Sequence, residues 1–126
     1  MRAVDTNVLV RLITRDDTRQ AAAAEAFVAP GAWVGQLVLA ETTWVLDAVY
    51  DLSPAAIATA VEMLLNHQHL TIQDSEIAAT ALAHYRGNPR ISFSDCLVLE
   101  IARKAGHLPV GTFDRRLATL EGAQRL

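Results

Sequence analysis

The chain predicts an α/β domain with a mostly parallel central sheet flanked by helices on both faces. Three observations carry that expectation. Short apolar or β-branched runs at residues 2–4, 32–35, 70–72 and 108–112 alternate with longer stretches of helical period, the pattern of a parallel sheet with covered faces. Start and stop residues punctuate those stretches, as at Ser53-Pro54, Pro30-Gly31 and Gly106. The 126 residues suffice for one core and show no repeat, low-complexity linker or second domain, so residues 1–126 are expected to form a single domain.

Taken in order, residues 2–4 read as a short buried strand and residues 7–13 as the first turns of a helix, with Thr6 and Asn7 polar at its start. Residues 19–27 are alanine-rich and helical by propensity, and Pro30-Gly31 ends that helix. A strand at 32–35 leads into a long helix over 36–50. Ser53 as N-cap and Pro54 at the first helical position open the next helix. Its Ile57, Val61, Leu64 and Leu65 make one apolar stripe.

After the strand at 70–72, Asp74 or Ser75 can cap a helix carrying Ile77, Ala81, Leu82 and Tyr85, which stops near Arg86-Gly87. Residues 94–105 form another helix, with Leu97, Val98, Ile101 and Ala102 as the expected buried stripe and Gly106 just past its end. The strand at 108–112 is followed by a short helix over 115–120, and the last residues can add an edge strand.

Composition narrows the class of protein. Hydrophobic residues are 52% of the chain, which argues against disorder. No apolar run approaches the ~18–20 residues of a membrane span, and no basic stretch leads into an apolar one as in a signal peptide. A soluble, cytoplasmic protein is the expectation. One cysteine, Cys96, excludes an internal disulfide and a multi-cysteine zinc site. The net charge of −3 neither supports nor excludes RNA. If four acids are neutralised by metal, the remainder is +1, and ten of the eleven basic residues are arginine.

Most acids fall in turns or near helix starts, among them Asp16, Asp17, Asp51, Asp74, Glu76 and Glu121. Four keep more apolar company. Asp5 sits where the first strand ends, in Val4-Asp5-Thr6-Asn7-Val8-Leu9. Glu41 lies early in the third helix, Asp95 in the first turn of the 94–105 helix, and Asp114 just beyond the fourth strand. Each has a plain alternative. Asp5 can cap its helix, Glu41 can be a solvated residue, Asp95 can complete a capping box with Ser92, and Asp114 can cap the helix after it. Their shared placement favours a site, because strand ends of a parallel sheet converge on one edge. Gathered carboxylates repel, and hard cations such as Mg²⁺ or Mn²⁺ relieve that repulsion. With no nucleophile–base pair in view, metal-assisted phosphodiester hydrolysis fits better than acyl transfer.

Other candidates carry less. His67 and His69 are two apart with no third metal-type ligand beside them, and His84 and His107 read as surface residues. Cys96 has no basic partner to make it a thiolate. There is no Gly-rich phosphate loop. Trp33 and Trp44 read as core or interface residues rather than base-stacking platforms.

Asp5-Thr6-Asn7, Glu41, Phe93-Ser94-Asp95 and Thr112-Phe113-Asp114, in this order, resemble the PIN-domain nucleases. Within them the chain is most similar to the VapC toxins of type II toxin–antitoxin pairs, over essentially its whole length. The resemblance implies a PIN-like fold, Mg²⁺- or Mn²⁺-dependent endoribonuclease activity, a homodimer and a cognate antitoxin that blocks the site. It also implies that Asp5, Glu41, Asp95 and Asp114 are catalytic metal-binding acids, supported by Thr6, Asn7, Ser94 and Thr112. Ser94-Asp95-Cys96 departs slightly from the more usual Ala-Asp-Ala. Transfer RNA is a frequent target in the family, though no motif here encodes that choice.

Two other readings remain beside this one. A haloacid-dehalogenase-like phosphatase also opens on a strand and an acid, but wants a second acid where Asn7 stands. A PIN fold kept only for binding would need no catalysis. For a dimer, the third and fifth helices are the expected surfaces, with Trp44, Leu46 and Tyr85 supplying apolar area.

Overall fold

The computed structural model describes residues 1–126. Strand β1 (Arg2–Ala3) runs into α1 (Thr6–Thr14) and α2 (Thr18–Val28), and β2 (Ala32–Val34) into α3 (Gln36–Ala48) and α4 (Pro54–Leu65). Next, β3 (Leu70–Ile72) leads to α5 (Ser75–Gly87) and α6 (Phe93–Ala105). The chain ends with β4 (Val110–Thr112), a 3-10 turn (Leu117–Thr119) and β5 (Ala123–Arg125). The α/β reading holds, with six helices and only parallel strand pairs.

The strands form two separate ladders. β1, β2 and β3 pair in that order, with Ala32 opposite both Arg2 and Leu70. Ala32, Val34, Leu70 and Ile72 on one face are buried, whereas Ala3, Trp33 and Thr71 on the other stay exposed. The helical cover on that second side is therefore incomplete. β4 pairs only with β5, in a ladder of its own. The fourth strand thus carries no hydrogen-bonded register from the main sheet.

Local chemistry explains most boundaries. Asp5, Asp17, Ser53 and Ser92 each accept a backbone N–H at a helix start, so α1, α2, α4 and α6 begin where the polar residues allow. Gly106 ends α6 in the left-handed conformation (φ 85°), which glycine adopts without the Cβ penalty. At α5 neither Asp74 nor Ser75 supplies a side-chain cap. Asp74 and Glu76 instead reach Lys104 on α6. The expected 115–120 helix shrinks to the 3-10 turn, held from its N-terminal side by Asp114.

The core runs through α1, α3, α4, α5 and α6, where Leu9, Leu39, Leu46, Val61 and Leu97 are fully enclosed. Two expectations about burial are overturned. In α6 Val98 and Ile101 face solvent, and the buried set is Phe93, Cys96, Leu97, Leu99 and Glu100. Glu100 can lie inside, 6% exposed, because His84 of α5 and Arg103 bracket its carboxylate at 2.9 and 3.3 Å. A buried carboxylate needs such partners. His84 is accordingly half-buried and bonded rather than a free surface residue. Leu46 and Tyr85 are core residues too, at 0% and 4% exposure, and offer no outer apolar face. No helix is long and apolar enough to cross a membrane.

Candidate nuclease site

The first turn of α1 and the second turn of α3 meet through one hydrogen bond. Thr6, buried in the first turn of α1, donates its Oγ1 to Glu41 Oε1 at 2.7 Å. The residue next to Asp5 is thereby tied to the second of the four acids. Asp5 itself is exposed and accepts the Val8 N–H on Oδ1 at 3.3 Å. It caps α1, as the plain alternative expected, and its second oxygen keeps no partner in the chain. Glu41 is exposed, so Thr6 fixes one carboxylate oxygen and leaves the other open to solvent.

Asp95 stands half-buried in the first turn of α6, and α6 packs on α3. The capping box is only half made. Asp95 N–H donates to Ser92 Oγ at 3.1 Å, but the Asp95 carboxylate returns no hydrogen bond. Its side chain is thus not consumed by capping. Ser94 is half-buried with its Oγ 3.3 Å from Ser92 Oγ, and Asn7 is exposed with no side-chain hydrogen bond.

Asp114 behaves differently. Its Oδ1 accepts the N–H groups of Arg116 at 2.7 Å and Leu117 at 3.1 Å, while its own N–H donates to Thr112 Oγ1 at 3.0 Å. The N–H donors of Leu117 and Arg116 hold its carboxyl below the ordinary value, since hydrogen bonds to the charged form favour it. This acid is a turn cap, and because β4 does not pair with β1 its place at the common edge is not fixed by strand register.

No three His, Cys, Asp or Glu side chains stand close enough together to enclose a metal ion. Closed four-acid ligation is therefore not built into the fold. The donor chemistry still suits Mg²⁺, which keeps several waters and is held by as few as one or two carboxylates. Asp5 and Glu41 each keep one carboxylate oxygen free of the chain. His67 accepts the His69 N–H on Nδ1 at 3.1 Å and belongs to no such group. Cys96 is fully buried, and burial, with the charges of Asp95 and Glu100, pushes its thiol up to about 11. It stays protonated and is no nucleophile.

The profile of the PIN domain matches residues 2–123. The chain is a PIN domain. That fold is in general a nuclease fold, which fits acids at a strand end and the absence of an activated Ser or Cys. Among curated proteins and solved structures, nothing gives a significant match. Reading the sequence alone missed Glu100, whose burial depends on His84 and Arg103, while of the two readings left open for Trp44, core or interface, its 61% exposure excludes the core.

Proposed function

We propose that this PIN domain is a Mg²⁺- or Mn²⁺-dependent endoribonuclease of the VapC toxin type, with residues 1–126 acting as one domain. The observation that supports the reading is the Thr6–Glu41 hydrogen bond, which ties Glu41 to the residue that follows Asp5. A bound Mg²⁺ or Mn²⁺ would supply Lewis-acid polarisation of a phosphodiester and a water made nucleophilic near neutral pH. Asp5, Glu41 and Asp95 offer the carboxylate oxygens that would hold it. Thr6 orients Glu41 by fixing one oxygen, and Asn7 and Ser94 present polar groups beside Asp5 and Asp95. Asp114 contributes at most its second oxygen, with Thr112 holding its backbone in place.

The partners follow from the toxin reading: an RNA with looped or single-stranded segments, of which transfer RNA is the first to try, a cognate antitoxin and a second copy of the chain. The cytoplasm is where such a toxin meets RNA. Among exposed large apolar side chains, α3 contributes Leu37 and Trp44 and α6 contributes Val98 and Ile101, whereas α5 contributes none. A homodimer surface on α5, as the sequence suggested, has no such anchor.

Purified protein is expected to cut single-stranded or looped RNA with Mg²⁺ or Mn²⁺ present and to stop in EDTA. Equal cutting in EDTA by nuclease-free preparations would overturn the metal-dependent mechanism. The rival reading, a PIN fold kept for binding alone, draws on the absence of a three-residue metal group. It predicts no cutting in either buffer.

A further inference from the structure

Beside the proposed cutting site lies a cavity of about 210 Å³, between α3, the start of α4, the end of α5 and the start of α6. Its walls include Trp44, Asp47, Tyr85, Arg90, Ser92 and Ser94. Two of these place it next to the acids. Ser94 precedes Asp95, and Trp44 lies three residues beyond Glu41, on the same face of α3 at neighbouring positions.

The cavity holds polar groups that the fold itself does not use. Tyr85 is 4% exposed as a residue and lines this space; its hydroxyl is not sealed in the core but opens to the cavity without a partner in the chain. A hydroxyl open to a cavity is free to bond whatever enters it. Its ring is set edge-on against Phe93, centroids 6.1 Å apart, so the hydroxyl is aimed by packing. Burial and then the charge of Asp47 push the phenol above its ordinary value, which places Asp47 within electrostatic reach of it. Asp47 and Arg90 are exposed and make neither an ion pair nor a side-chain hydrogen bond. Trp44 leaves an aromatic surface in solvent at the rim.

We propose that this cavity is a subsite for one nucleotide of single-stranded RNA, adjacent to the bond that is cut, with its base against Trp44. The proposal rests on the ribonuclease reading above and adds to it a source of sequence preference. The volume lies below the roughly 300–1,000 Å³ of whole small-molecule sites, so one base fits better than a larger ligand. An indole face accepts any base by stacking. Arg90 is the group for the neighbouring phosphate. Discrimination falls to Asp47 and Tyr85. An ionised carboxylate only accepts, so Asp47 favours a base edge with an exocyclic amine: cytosine, adenine or guanine. Uracil sets a carbonyl on each side of its single N–H, against that charge. The Tyr85 hydroxyl donates to the ring nitrogen or oxygen beside the amine.

The test is cleavage of a randomised single-stranded RNA in Mg²⁺, with the new ends sequenced, for wild type and three variants. Wild type is expected to disfavour uracil at one position beside the cut. Asp47→Asn should raise relative cutting at uracil there by roughly tenfold, the scale of one good base-edge contact. Tyr85→Phe should flatten the profile at that position alone, and Trp44→Ala should lower kcat/KM for every base by roughly tenfold or more. The Asp47→Asn and Tyr85→Phe readouts are ratios within one preparation, so partial unfolding does not imitate them.

If Asp47→Asn and Tyr85→Phe still cut with the wild-type profile, the subsite is wrong while the ribonuclease reading stands. If Trp44→Ala turns a dimer into a monomer with the profile unchanged, the face binds protein and the proposal falls. Should wild type cut nothing, quenching of tryptophan fluorescence by a short oligoribonucleotide decides the cavity separately. Quenching lost in Trp44→Phe upholds nucleotide binding, and no quenching overturns it.

Discussion

The two ends of the chain each place an acid just after a strand, and they use it in opposite ways. After β1, Asp5 spends one oxygen on a long 3.3 Å contact with Val8, and its neighbour Thr6 reaches across to Glu41 on another helix. After β4, Asp114 draws two backbone N–H groups onto a single oxygen, and Thr112 closes the turn behind it. The first arrangement joins two elements and leaves carboxylate oxygens outward. The second completes a local turn on a ladder that is separate from the main sheet. Position after a strand is therefore not enough to make an acid part of a site. What separates the two is the long-range bond, which only the first possesses.

The largest expected difference is in cleavage. Asp5→Asn keeps the cap, since asparagine caps as well as aspartate, but removes a charge. It should lower RNA cutting by roughly a hundredfold or more if the acid serves a metal. Asp114→Asn should cost far less. Equal losses in single-turnover assays would erase the contrast between the two ends.

Thr6→Val comes next. It keeps the shape and removes the donor to Glu41, so cutting should fall by several-fold while Thr6→Ser largely restores it. The accompanying loss of stability should be about 1 kcal/mol, the net scale of one hydrogen bond. If cutting by Thr6→Val matches wild type in the same assay, Thr6 does not position Glu41 for chemistry.

A smaller effect separates helix cap from site at α6. The cap acceptor is Ser92 Oγ and the donor is the Asp95 backbone, which every side chain provides. Ser92→Ala should therefore cost roughly 0.5–2 kcal/mol in urea unfolding, and Asp95→Ala should cost little. An Asp95→Ala loss as large as that of Ser92→Ala would show that its carboxylate does the capping.

The smallest concerns acid. Asp114 is held below its ordinary pKa in the folded chain, so its contribution is present above the unfolded value and is lost as pH falls through the lower folded value. The difference in melting temperature between wild type and Asp114→Ala should be full at neutral pH and shrink in strong acid. A difference that grows on acidification would contradict that assignment.

Much of this was readable from the sequence, and the failures share a cause. Alternating strands and helices, the Ser53-Pro54 start and the Gly106 stop depend on neighbours in the chain, and all are found where those residues stand. The Asp5-Thr6-Asn7 start was legible too, although the Thr6 bond to Glu41 spans 35 residues and was not. The phase of α6 was misjudged because Val98 and Ile101 are apolar, while Glu100 looks like a surface residue until His84 and Arg103 are brought to it. Likewise Tyr85 and Leu46 could not be told from interface residues without knowing that α5 packs on α4 and α6. The pairing of β4 with β5 rather than with the main sheet is a choice among strands of similar composition, which no local pattern encodes.

The central claim is that the Asp5–Glu41 edge, and not the Asp114 turn, receives the divalent cation. Thermal melts in EDTA and in millimolar Mn²⁺ test it most directly, because a ligand stabilises by about RT ln(1 + [L]/Kd) whether or not RNA is present. Wild type and Asp114→Asn should both melt higher in Mn²⁺, while Asp5→Asn and Glu41→Gln should gain little. An Mn²⁺ shift in Asp5→Asn as large as in wild type, or one abolished only by Asp114→Asn, would contradict it.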